Sequence, residues 1–193
     1  MDIFLNFDFS ILDFIANSIR CAFLDPIMWF FSVFADKGLG WIALGLIFLI
    51  PKKTRAAGAA SLVALLIGLL LGEFAIKVIV CRLRPYEVYE SFHGYPMPFE
   101  LNMGPAHGFS FPSGHTSASF AAAVTYFLIN KKVGIITLIG AFLVGFSRLY
   151  NYVHYPTDVI AGAILGTLCA LLVIFVFKKF SFDDKLRRLG KKS

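Results

Sequence analysis

The chain has little charge for its length. Of 193 residues only 16% are Asp, Glu, Lys or Arg, against the usual quarter, while 58% are apolar and 16% aromatic. That balance excludes an ordinary soluble domain and points to an integral membrane protein. Cysteine is scarce. Cys21, Cys81 and Cys169 are odd in number, lie in apolar surroundings and have no metal-like spacing, so they exclude a disulfide framework and read as small core residues. The start, Met1-Asp2-Ile3-Phe4, lacks a basic region and the first cation is Arg20, so a cleaved signal peptide is not expected. No linker, repeat or low-complexity tract interrupts residues 1–193, which read as a single membrane domain.

What the chain does have is long apolar runs. Six candidate crossings cover 21–35, 38–50, 56–80, 115–129, 133–150 and 157–177, and a helix rising 1.5 Å per residue spans the roughly 30 Å hydrocarbon core in about 20 residues. The expected fold is therefore all-α, a polytopic membrane helix bundle of about six transmembrane helices. The first two runs are short and separated only by Asp36-Lys37, which fits a tight helical hairpin or a single span with a re-entrant piece. Ahead of them, Ser10, Asp13, Asn17 and Arg20 share one helical face, as in an N-terminal interfacial helix; packing against the bundle is the plainer alternative. Gly68-x3-Gly72 and Gly162-x3-Gly166 allow close helix approach inside a bundle, or between two copies.

Orientation follows from the cations, because short loops rich in Lys and Arg stay in the cytoplasm. Lys52, Lys53 and Arg55 form one cluster and Lys131 with Lys132 a second. The third is the tail 178–193, with seven cations against Asp183 and Asp184, a net +5 of the chain's +6. All three fall on one side of a six-span arrangement, which makes both termini cytoplasmic and puts the loop between spans three and four outside. The tail has no aromatic interleaving, so membrane topology and anionic lipid headgroups account for it better than nucleic acid.

Three polar clusters sit at the outer ends of the spans. The first is Lys77 with Arg82, Arg84 and Pro85, where the helix should break because the residue before a proline disfavours helical geometry. Snorkelling anchors are the bland reading of Lys77 and Arg82. The second, Pro112-Ser113-Gly114-His115, opens span four with a capping serine and a glycine that lets a ligand approach a helix N-terminus, a ready anion site. The third has Ser147-Arg148 ending span five, then His154 and Asp158 at i, i+4 spacing. That spacing lets Asp158 accept from Nδ1 of His154 and leaves Nε2 free as a nucleophile, though Asp158 also suits the first turn of a helix begun by Pro156.

Taken in order, Lys77-x6-Arg84-Pro85, Pro112-Ser113-Gly114-His115 and Ser147-Arg148-x5-His154-x3-Asp158 resemble the signature of the type-2 phosphatidic acid phosphatase superfamily. The match runs over 77–158 and every motif position is present. The resemblance implies that His154 attacks phosphorus and becomes a phosphohistidine oriented by Asp158, and that His115 protonates the leaving oxygen. It implies further that Lys77, Arg84, Ser113, Gly114 and Arg148 hold the phosphoryl oxygens. Three cations and backbone N–H donors facing charge on three equatorial oxygens agree with those roles, and neither a metal nor a cofactor is expected. His93, Glu100 and His107 in the outer loop match no metal-ligand spacing.

The expected partner is a lipid phosphate in the membrane, reached at headgroup level on the extracytoplasmic side. Tyr86, Tyr89, Phe92, Tyr95 and Phe99 make the outer loop aromatic, suiting a wall or lid beside the entrance or simple interfacial anchoring. Small bacterial relatives of this family act on undecaprenyl pyrophosphate, phosphatidylglycerophosphate or phosphatidic acid. The compact length favours undecaprenyl pyrophosphate, with a broad phospholipid phosphatase second and a non-catalytic lipid-binding or transport protein a remote third.

Overall fold

In a computed structural model, which describes residues 3–101, 104–180 and 182, the chain is all-helical, with no strand among the described residues. Helix α1 (Ile3–Phe14) leads through a π-helical turn to α2 (Asp25–Phe34), a short 3-10 turn (Asp36–Gly38) and α3 (Leu39–Leu49). Helix α4 (Arg55–Leu69) runs through a π-helical stretch (Leu70–Ile76) into α5 (Lys77–Val80), and α6 (Pro85–His93) lies in the following loop. Then come α7 (Gly114–Ile129), α8 (Lys131–Tyr150) and α9 (Pro156–Lys179). The tail residues 183–193, on which the anionic-lipid reading mostly rests, lie outside the described residues.

Helix α7 is the hub, packed against α9, α8 and α4. It can be enclosed because its inner positions are small: Ser117, Ser119, Ala121, Ala122 and Ala123 are buried. Several of its hydroxyls are satisfied locally or by neighbours, as burial away from water favours, while Ser117 Oγ and Tyr126 OH have no protein partner in hydrogen-bonding geometry. Thr125 donates to the Ala121 carbonyl at 2.7 Å, Ser119 to that of His115 at 2.8 Å, and the Trp41 indole N–H of α3 donates to Ser119 Oγ at 2.8 Å. Helix α9 touches α7 backbone to backbone. A Cβ on Gly162 would stand 2.6 Å from the Ser113 carbonyl oxygen, and one on Gly166 2.2 Å from that of Ser117. Gly68 and Gly72 differ, since a Cβ there would meet only side chains at 3.4 and 3.5 Å. Of the two Gly-x3-Gly pairs, only the second marks a close approach.

Among the described residues, three helical stretches are long and apolar enough to cross a membrane: Arg55–His93, Lys131–Tyr150 and Pro156–Lys179. The first two apolar runs, read as a tight hairpin or a single span with a re-entrant piece, form helices α2 and α3 bent by 48° at their junction, a broken span or a re-entrant loop. Helix α7, with 16 residues, is shorter and is enclosed by the others.

Helix α1 packs where α9 begins, with Asp8 accepting from Thr157 N at 3.0 Å, and α9 then runs 24 residues, about 36 Å, to the far end of the bundle. Helix α1 packs against the bundle through Asp8, Phe9 and Leu12, which are buried beneath the loop that carries α6. The aromatic residues of that loop are its cover, Phe92 stacking on Phe9 at 4.2 Å and Tyr89 meeting Tyr152 at 5.8 Å. Two of the three cysteines read as core, Cys21 and Cys81, are exposed because they sit at helix ends; only Cys169 is buried.

The glycine geometry makes a graded prediction. Gly166→Ala should cost about 1–3 kcal/mol, the usual cost of forcing an extra methyl group into a packed interface, and lower the thermal midpoint in detergent. Gly72→Ala should leave it within a degree or two. Equal effects would contradict the backbone contact.

Candidate active site

The three sequence clusters meet at one end of the bundle, around a cavity of about 920 Å³ lined by Lys77, Arg84, Gly114, His115, Arg148 and His154. Asp36 and Glu73 share that polar end, and Ile42, Leu62, Leu66 and Leu69 form an apolar wall between α3 and α4. Two expected site residues stand behind the cavity rather than in its wall. Asp158 is fully buried behind His154, and the Ser113 hydroxyl is turned to Thr116, whose Oγ1 is 2.9 Å away and whose N–H donates to it as a helix cap.

Local sequence places each group. Cys81 takes a left-handed conformation, φ 48°, which ends α5 and turns the chain so that Arg82 and Arg84 point inward. Arg84 is 3% exposed and wrapped by carbonyls: its Nε donates to Gly108 O at 2.8 Å, Nη2 to His107 O at 2.9 Å and Nη1 to Val153 O at 2.8 Å. It ties the 104–113 segment to the loop after α8. Lys77 is held by Glu73, one turn earlier, at 2.7 Å. Arg148 donates to Ser32 of α2, and its Nε has no protein partner. His115 has Asp36 nearby, Nε2 to Oδ1 at 3.8 Å.

The tautomer of His154 follows from its neighbours. Arg84 Nη1 lies 3.3 Å from Nε2, and a guanidinium can only donate, so Nε2 carries the lone pair. The proton is then on Nδ1, which faces Asp158 Oδ2 at 3.4 Å, too long for a good hydrogen bond. Contacts of this kind commonly tighten only when substrate is bound. Burial pushes the His154 imidazole down to about 3, with Arg84 and Arg148 acting in the same sense and Asp158 opposing. The ring is neutral at physiological pH, as a nitrogen nucleophile must be.

Four residues around the site were not legible as such. Asp8, Ser110 and Thr157 had no motif to announce them. Arg82, read as a snorkelling anchor, instead turns inward and pairs with Asp8 at 2.6 Å and Asp158 at 2.7 Å. The i, i+2 spacing of Arg82 and Arg84 within a segment leaving a helix was the available signal.

Comparison with known proteins agrees with this geometry. A family model described as PAP2 superfamily matches residues 57–182. The chain belongs to the PAP2 superfamily. Its relatives include the bacitracin transport permease protein BcrC of Bacillus licheniformis, 33% identical over 88% of this chain and 79% of that one. An undecaprenyl-diphosphatase of Sulfolobus acidocaldarius is 34% identical over 82% and 73%. Among solved structures, a transmembrane PAP2 type phosphatidylglycerolphosphate phosphatase from Bacillus subtilis superposes with a TM-score of 0.73, at 28% identity, over 93% of this chain and 88% of that one. With its apolar helices, this chain is a multi-pass PAP2 lipid phosphatase.

Linkage gives the site a measurable signature. The folded His154 takes up a proton only near pH 3, whereas an unfolded histidine does so near 6.5, so stability falls as pH drops from about 6.5 toward 3. His154→Gln removes that term. Thermal midpoints of the wild type should therefore drop relative to the variant between pH 8 and pH 5, and a constant difference would disprove the buried neutral histidine.

Proposed function

We propose that this PAP2 phosphatase hydrolyses undecaprenyl pyrophosphate to undecaprenyl phosphate at the extracytoplasmic face, through a phosphohistidine on His154. The observation that carries the reading is the cavity itself, whose polar end holds the cations and histidines and whose other wall is apolar. A phosphate on a long hydrocarbon tail matches both ends. The relatives' names, an undecaprenyl-diphosphatase among them, support the prenyl diphosphate.

In this mechanism Lys77, Arg84 and Arg148, with the N–H groups at the start of α7 around Gly114, surround the phosphoryl oxygens, while Ser113 caps that helix turn and keeps it in place. Nε2 of His154 attacks phosphorus, and the ring's positive charge is met by Asp158 behind it. His115 gives a proton to the leaving oxygen, then accepts one from the water that cleaves the phosphoenzyme. Fixed cations supply the charge stabilisation, so no metal takes part. A diphosphate has a good leaving group, so His115 matters less for it than for a phosphate monoester.

Phosphatidylglycerophosphate is the second reading, favoured by the Bacillus subtilis structural neighbour. A transport role, suggested by the name of the Bacillus licheniformis relative, is the third. Purified protein in detergent with chelator should release phosphate from a C55 prenyl diphosphate faster than from phosphatidylglycerophosphate or phosphatidic acid, be blocked by vanadate, and lose at least three powers of ten on His154→Ala. Unchanged turnover in that variant would end the phosphohistidine proposal, and preference for a phospholipid would replace the substrate.

The cations of the 50–55 and 130–132 turns support a cytoplasmic position for the opposite end of the bundle. In a background without native cysteines, Gly94→Cys should then react with an impermeant thiol reagent added outside intact cells. So should Ile3→Cys, given where α1 packs. Labelling of Gly94→Cys only after lysis would reverse the orientation.

A further inference from the structure

Arg82 is a partly buried cation that the cavity does not use, for it is absent from the wall. Its Nη1 donates to Asp158 Oδ1 and to Thr157 Oγ1, both at 2.7 Å, and its Nη2 to Asp8 Oδ2 at 2.6 Å. The guanidinium also lies 3.8 Å over the ring of Tyr155. Asp8 and Asp158 both have 0% exposure. Asp8 takes two further donors from α9, the Thr157 N–H at 3.0 Å and its hydroxyl at 2.7 Å. Asp158 takes the Ser110 hydroxyl and, at 2.9 Å, the Tyr155 N–H.

A second buried carboxylate is costly unless its charge is used, because each ion taken out of water loses several kcal/mol of hydration. Arg82 with Asp158 alone would be a neutral pair, and a neutralised carboxylate is a weak counter-charge for a histidine. With Asp8 on the same guanidinium, the three groups carry a net charge of −1 directly behind His154. We propose that Asp8 is a positioning residue for the nucleophile: by sharing Arg82 it leaves Asp158 effectively anionic, so that Asp158 orients His154 and offsets the charge the ring gains on phosphorylation. Helix α1 thereby becomes part of the active site.

The inference rests on His154 being the nucleophile, and the step balances. The Nε2 lone pair forms the N–P bond as the bond from phosphorus to the leaving oxygen breaks, and that oxygen takes a proton from His115. The ring keeps its Nδ1 proton and is left with a charge of +1, matched by the −1 of the Asp8, Arg82 and Asp158 group. Substrate binding involves none of this charge development. Asp8 should therefore act on the chemical step and not on binding.

The test is Asp8→Asn in the full chain in detergent, assayed on a prenyl diphosphate. Asp8 and Asp158 share one hydrogen-bond network, and coupling of that kind corresponds to a fall in kcat of about ten- to a hundredfold. KM should stay within about twofold, and the rate of phosphoenzyme formation in a rapid-quench burst should fall in parallel with kcat. Because Asp8 acts through Asp158, the double variant Asp8→Asn/Asp158→Asn should be no slower than Asp158→Asn alone. Multiplying losses, a rise in KM at constant kcat, or a wild-type rate in Asp8→Asn would each overturn the proposal. If Asp8→Asn does not yield folded protein, Arg82→Lys serves instead: it keeps the cation but cannot bridge both carboxylates, and its loss in kcat must likewise vanish in the Asp158→Asn background. An active His154→Ala enzyme would refute the nucleophile assignment, whereas an inactive one beside an unimpaired Asp8→Asn refutes only the role of Asp8.

Discussion

Backbone contact between α7 and α9 sets the position of the catalytic groups. With no side chain at Gly162 and Gly166, the two helices come so close that the Ser113 N–H donates directly to the Asp158 carbonyl at 3.1 Å. The start of α7, which carries Gly114 and His115, is thus locked to the start of α9, which carries the partner of His154. The other helices are arranged around that pair. Helix α5 and the turn after it supply Lys77 and Arg84 from one side, and the bent α2–α3 pair adds Ser32 and Asp36 from the other.

Within that frame the polar groups form two layers with different electrostatics. The layer facing the cavity is rich in positive charge, from Lys77, Arg84 and Arg148, and suits an anionic phosphoryl group. The layer behind His154 is net negative and suits a ring that becomes cationic. The imidazole stands between them, neutral in the resting state, where the proposed phosphorylation would leave it positively charged. Such separation works only where water is excluded, since a high dielectric would blur both layers.

Much of the site was readable from the chain because its residues lie in short local patterns. Histidine and aspartate four apart, serine and glycine before a histidine at a helix start, and arginine before proline each carry their own physics, and together they mark a specific family. What was not readable came from contacts distant in sequence. Asp8 looked like one more polar residue near an apolar N-terminus, and nothing local says that it meets Thr157. The arrangement of α2 and α3 was left open for a related reason: composition sees two apolar runs separated by Asp36-Lys37, but the angle between them depends on how α2 leans on α8. The exposed cysteines at helix ends show the same limit, because an apolar neighbourhood in sequence is not burial in space.

The pairing of Asp8 with Thr157 and Arg82 also bears on how the protein is made. A contact across 149 residues joins α1 to α9. Without α9 in place, Asp8 has no Thr157 and Arg82 has no Asp158, so the layer of charge behind His154 is a product of long-range closure and of no local segment.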